Sequence, residues 1–113
     1  GWHTQPKNIP ENRIDDPRNN PGWTGYTWNK DLFPDYKAFL KFLKAHNLKT
    51  TLNLHPAQGV GCHEVMYEKM AKACGIDPES RKLVKFDCLN PEFMEHYFDI
   101  IHQQILILLM EHH

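Results

Sequence analysis

Apolar residues change period several times along the chain, and each change predicts an element. Tyr36, Phe39, Leu40 and Leu43 recur at i, i+3, i+4 and i+7, the spacing of one helix face. Asp35 stands where a cap belongs, Lys37, Lys41 and Lys44 lie mainly on the solvated side, and Asn47 suits a left-handed stop. From Lys49 to His55 the period drops to two: Leu52 and Leu54 alternate with Thr51, Asn53 and His55, and Pro56 closes the run. That pattern predicts a strand. A second helix is expected from about His63 to Cys74, with Val65, Met66, Met70 and Ala73 turned inward and Gly75 ending it. A loop with a short apolar element, Leu83 to Phe86, precedes Asn90-Pro91. This pair is a strong helix start, a capping side chain followed by a proline whose missing N–H costs nothing there. Glu92 and Glu95 favour the positive end of that helix, and Phe93, Tyr97, Phe98 and Ile101 continue an apolar face. Ile105 to Met110 is apolar without interruption and reads equally as more helix or as a buried strand.

Helix and strand alternating with long loops imply a parallel sheet and an α/β class. Ligands of such folds gather at the carboxyl ends of strands, where His55 stands with Asn53 two residues before it on the same face. The first 34 residues differ in kind. Pro6, Pro10, Pro17, Pro21 and Pro34 exclude a long helix or a central strand there. Trp2, Trp23, Tyr26 and Trp28 argue for order all the same, and long ordered loops are usually functional.

Composition removes several function classes. The 113 residues suffice for one core, and fractions of 41% hydrophobic and 24% charged exclude a disordered or collagen-like chain. Thirteen basic against fourteen acidic side chains give a net charge of −1, so neither nucleic acid nor a membrane surface is an expected partner. The run from Ile105 to Met110 falls far short of the roughly 20 residues that span a bilayer. No signal peptide is visible, and three widely spaced cysteines, Cys62, Cys74 and Cys88, favour reduced thiols and a cytoplasmic setting. His112 and His113 resemble the start of a purification tag and are set aside.

Candidate chemistry is sparse. Cys62 and His63 are adjacent, not spaced as zinc ligands are, and Tyr67 occupies the place where a zinc-protease helix has its second histidine. No metal or other cofactor is expected. Ser80, the only serine, lies in a charged loop; Cys62 is either an activated thiol at a helix start or a small residue in a turn. Among the carboxylates, Asp15 and Asp16 lie in the proline-rich loop and Asp31 and Asp35 flank the first helix start. Glu64, Glu68, Glu92 and Glu95 read as helix surface or dipole partners, so no acid–base pair emerges. The aromatics say more. Trp23, Tyr26 and Trp28, punctuated by Gly22 and Gly25, suit either stacking on sugar rings or packing of the loop.

Two long motifs carry a resemblance. Gly22-Trp-Thr-Gly-Tyr-Thr-Trp-Asn-Lys-Asp-Leu-Phe-Pro-Asp35 resembles the region after the second barrel strand of glycoside hydrolase family 31, the α-glucosidases and α-xylosidases. Leu52-Asn-Leu-His-Pro-Ala-Gln-Gly59 resembles that family's third strand and exit loop, and Trp2-His3 the end of its second strand. Phe86-Asp87 and Asn90-Pro-Glu-Phe93 are similar to the approach to its third helix, so the likeness runs in order over residues 1–104. The resemblance implies a fragment of a (β/α)8 TIM-type barrel, about its second to third or fourth βα units, with 105–113 a divergent or truncated tail. It implies retaining hydrolysis of α-linked glycosides without a cofactor.

The chain departs from the family in its carboxylates. Gly1 stands where the family commonly has aspartate, and the strand and the later segment bearing the nucleophile and the acid have no counterpart. No catalytic residue carries over, and the isolated chain is expected to be inactive. Trp2, His3, Asn53 and His55 match strand-end positions and Trp28 and Asn29 a loop near the sugar subsites. These six are the candidate substrate-binding residues, with an α-glycoside as the partner. Leu40, Leu52, Leu54 and the 105–110 run are expected to be exposed and to favour self-association. The alternative is a non-catalytic carbohydrate-binding or interaction domain that uses the Trp-rich loop.

Overall fold

The computed structural model describes residues 2–4 and 24–111. Trp23, Gly22, Asp15, Asp16, Pro6, Pro10, Pro17 and Pro21, on which part of the loop reading rests, lie outside the described residues, as do His112 and His113.

Helix α1 (Tyr36–Ala45) begins where Asp35 accepts a bond from the Ala38 N–H at 3.0 Å. It ends at Asn47 with φ 58°, where Leu48 N donates to Leu43 O and Asn47 N to Lys44 O, a left-handed closure of the last turn. Of its expected inner face only Leu40 is buried; Phe39 and Phe42 are exposed. Helix α2 (Tyr67–Ala73) closes the same way at Gly75, but starts four residues later than the apolar pattern predicts. Its approach is taken up in turns: Glu64 N bonds to Gly61 O and Tyr67 N to Glu64 O. The Val65 N–H goes to the Thr27 hydroxyl instead of into a helix, and the Val65 side chain, expected inside, is 80% exposed.

The expected barrel fragment does not form. About 47% of the structure is helical and 4% is strand, and the described residues contain no sheet. Two isolated antiparallel bridges, His3 with Trp28 and Val60 with Val84, are the only strand-like pairings among them. The Lys49–His55 segment is assigned to no strand and joins no β-bridge. Its alternation survives as burial, with Leu52 and Leu54 half-buried and Thr51 and Asn53 exposed. A period of two reports which side of an extended segment faces a core, whereas a sheet also needs a neighbour with its own free N–H and C=O groups. Here Leu52 and Leu54 pack on the helical cluster instead of lying beside such a neighbour. Leu40, Leu52 and Leu54 are accordingly not the exposed surface they were expected to be.

The third helical stretch holds the core together. Asn90 caps α3 (Pro91–His96), accepting from Glu92 N at 3.0 Å and Phe93 N at 3.3 Å. The chain then passes without a break through a π-helical turn (Tyr97–His102) into α4 (Gln103–Glu111), so residues 105–110 are helix. In that turn Gln103 N reaches back to Phe98 O, one residue further than in an α-helix, and the inward face rotates. Ile100, Ile101 and Ile105 come inside, and Phe98, expected there, is 50% exposed. Ile105 belongs to the core, so a boundary between 104 and 105 cuts a single helix. Around this stretch gather Tyr67, Met70 and Ala71 of α2, Val60, Val84, Cys62 and Tyr26. Burying Met70 or Ile101 fully contributes about 1.5–3 kcal/mol each. Gly59 (φ 78°) lets the Val60–Val84 bridge close: a Cβ there would sit 2.3 Å from Val84 O. Among the described residues no helix is long and apolar enough to cross a membrane.

Candidate functional site

Residues 24–29 form a strip from which the site is built. Thr4 N donates to Thr27 O at 2.9 Å and Asn29 N to Trp2 O at 2.8 Å, fastening the first described residues along it. The Trp28 ring stacks on Tyr36 at the start of α1, centroids 4.9 Å apart and 5° from parallel. Trp2 and Phe33 meet it edge-on at 5.1 and 5.6 Å. Trp2 Nε1 donates to the Asn53 carbonyl at 3.0 Å, which draws the extended 49–55 segment to the same wall. His3 is buried, with Nδ1 2.8 Å from Thr4 O and its ring 5.3 Å from that of His55. Gly25 (φ 77°) makes room for both imidazoles, since a Cβ would lie 2.9 Å from the His55 ring and 3.4 Å from that of His3.

Of the six candidate residues, Trp2, His3, Trp28 and His55 therefore converge through their rings, and Asn53 joins through its main chain while its side chain is exposed. Asn29 is buried, but its Oδ1 accepts from Asp31 N at 3.0 Å and Leu32 N at 3.3 Å. That side chain shapes the turn into α1. Tyr36, read only as a helix-face residue, is a wall member as well. Its place directly after the Asp35 cap, at the foot of the aromatic loop, is the signal for it.

Trp2, Trp28 and Tyr36 of the wall border a hollow of about 250 Å³ that also touches Tyr26, Leu52 and Met66, while His3 and His55 lie behind Trp2 and do not line it. Its polar rim is Thr27, Lys30 and Gln104, and no described Asp or Glu lines it. Trp28 is 7% exposed, and its Nε1 has no hydrogen-bond partner among the described residues. A buried, unmet N–H costs about 1–3 kcal/mol, so a fold that keeps one holds a donor in reserve.

Behind the strip lies a carboxylate that the pattern places on a helix surface. Glu64 is 1% exposed. Its Oε1 accepts from the Thr24 hydroxyl at 2.5 Å and the Tyr26 N–H at 3.0 Å, and its Oε2 accepts from the Thr27 hydroxyl. His63 Nε2 is 3.2 Å from Oε1, at ion-pair distance though not aligned as a hydrogen bond, and its side chain is 3% exposed. Burial alone would push the Glu64 carboxyl up; His63 and the two threonine hydroxyls outweigh it and hold the group below the ordinary carboxylate range. The partners lie 37 to 40 positions away, so no local spacing betrays this residue. The Tyr26 hydroxyl in turn pairs with that of Tyr97 at 2.9 Å, and burial, then that neighbour, pushes its ionisation far above the usual tyrosine range.

A larger hollow of about 500 Å³ opens past Glu64, between α2 and the short helical turn Pro78–Ser80. It is lined by Glu68, Glu79 and Arg81 and lacks an aromatic platform apart from Tyr67. The aromatic hollow is the better site, because it joins the Trp2, Trp28 and Tyr36 rings to Leu52 of the second motif. Cys62 is buried and Cys74 and Cys88 are free thiols, so the Cys62-His63 pair is an interior turn. Among the described residues no three His, Cys, Asp or Glu side chains are arranged to hold a metal ion.

Compared with known proteins, the chain matches no protein-family model and no curated protein.

Proposed function

We propose that the chain binds α-linked glycosides on the Trp2–Trp28 wall, as the non-catalytic share of a retaining α-glycosidase of the family-31 type. The reading rests on the two motifs and on the wall, and not on a barrel, which the chain does not form. The observation that carries it is the convergence of Trp2, His3, Trp28 and His55 from three separate stretches, beside a buried indole N–H without a partner among the described residues. Flat rings with polar edges suit the apolar faces of a pyranose. Retaining hydrolysis needs two carboxyls about 5–5.5 Å apart across the scissile bond, and no described carboxylate lines this hollow. The wall can hold a sugar; the bond-breaking acids have to come from elsewhere.

The test is direct. The purified chain should bind maltose or methyl α-glucoside, followed by tryptophan fluorescence or amide chemical shifts, and should release no nitrophenol from an aryl α-glucoside. Failure of every α-glycoside to bind sinks the reading, and turnover by the pure chain refutes its non-catalytic half. The absence of acids at the hollow equally favours a stand-alone carbohydrate-binding domain. The two readings part at His55: binding lost in Trp28→Ala but unchanged in His55→Ala favours the binding domain.

A further inference from the structure

We propose that Glu64, backed by His63, is a positioning residue that clasps the 24–28 strip and thereby sets the aromatic wall. The clasp is two-sided. One carboxylate oxygen takes the Thr24 hydroxyl and the Tyr26 N–H, the other takes the Thr27 hydroxyl, and that same hydroxyl accepts the Val65 N–H. Three positions of the strip, 24, 26 and 27, are thus tied to the turn before α2, directly next to Trp28. The far side of the strip carries the ties to Trp2 and Thr4. A glutamine of the same shape offers one oxygen and one NH₂ where three donors now point, so at least one donor loses its acceptor.

The clasp is also sensitive to protons. A carboxylate accepts at both oxygens, whereas a carboxylic acid must donate at one. Because the folded Glu64 is held below the ordinary carboxylate range, its contribution is fully present above the unfolded value and is lost as pH falls through the folded one. The groups facing it are His63 on its own turn, Tyr26 on the strip, Tyr67 and Glu68 of α2, and Glu79 and Arg81 across the larger hollow. Cys62 lines that hollow too.

This inference deepens the proposed function, and its relevance to sugar binding rests on that reading. Its test reads the wall itself as well as the ligand. The full chain is labelled with 5-fluorotryptophan, the Trp28 resonance is assigned with Trp28→Phe, and spectra are taken across an acid titration with and without maltose. Expected is a Trp28 resonance displaced in Glu64→Gln, an acid transition of that resonance in the unaltered chain that Glu64→Gln lacks, and maltose affinity about tenfold weaker in the variant. Thr27→Val should shift the same resonance, and exposed Glu68→Gln should not; this pair decides the matter if Glu64→Gln does not fold. A Trp28 resonance indifferent to Glu64→Gln, Thr27→Val and acid overturns the clasp. Should the resonance respond while no α-glycoside binds, the clasp stands and the sugar reading falls.

Discussion

The helical core and the aromatic wall share Tyr26 as a border, yet they resolve their polar atoms in opposite ways. In the core, Met70, Ala71, Ile101, Val60 and Val84 bring almost nothing polar inside, and the one hydroxyl pair, Tyr26 with Tyr97, satisfies itself. In the wall, every ring but that of Phe33 carries a polar edge, and the Trp28 N–H and the Thr4 hydroxyl are buried without a partner among the described residues. Satisfied interiors give stability; unmet donors subtract from it and are kept where something else can meet them. The difference separates an apolar interior from a polar-edged one whose buried N–H and hydroxyl are not met by the described residues.

Deleting the core's most enclosed side chain should produce the largest effect. Met70 is fully buried between α2 and the 91–111 helix, so Met70→Ala removes its packing and leaves a cavity. The expected loss is about 2–5 kcal/mol in denaturant unfolding. A loss below 1 kcal/mol would mean that the cluster is loosely packed, and the contrast with the wall would disappear.

Tyr97→Phe probes the border. It keeps the ring against Phe86 and Phe93 but strands the Tyr26 hydroxyl, which is buried and has Tyr97 as its bonded neighbour. A cost of about 1–3 kcal/mol is expected from leaving that group unmet. The same variant should leave the Trp28 fluorine resonance nearly in place, because Glu64 and not Tyr97 holds the strip beside it. A Trp28 shift as large as that of Glu64→Gln would make the strip a dependent of the core.

Local features were legible in the sequence, and non-local ones were not. The Asp35 and Asn90 caps and the Asn47 and Gly75 stops are decided within a turn of chain, and each is where the pattern puts it. Lys49–His55 has the right alternation and the wrong element, because a ladder depends on a distant partner that periodicity cannot supply. The π-turn moves Phe98 out and Ile100 in, a rotation invisible to i, i+3, i+4 counting. Glu64 shows the limit most clearly. One residue after His63 at an expected helix start, it looks like a dipole partner, and only the return of the strip from 37 to 40 positions earlier makes it interior. The wall was half legible: the motif resemblance points to Trp2, His3, Trp28 and His55, and misses that the Asn29 side chain serves the backbone.

Trp28→Phe is the smallest expected change in stability and the sharpest use of the contrast. The substitution loses part of a buried ring, a penalty of about 1–2 kcal/mol from area and packing. It also removes a buried N–H without a bonded partner among the described residues, which returns a comparable amount, about 1–3 kcal/mol. The two terms oppose each other, so unfolding free energy should stay within about 1 kcal/mol of the unaltered chain, whereas maltose affinity should drop. An apolar core position of the same burial has no such offset and would show only the first term. If Trp28→Phe instead costs as much as Met70→Ala, the indole N–H is not a reserved donor, and the wall is simply a second core made of aromatic rings.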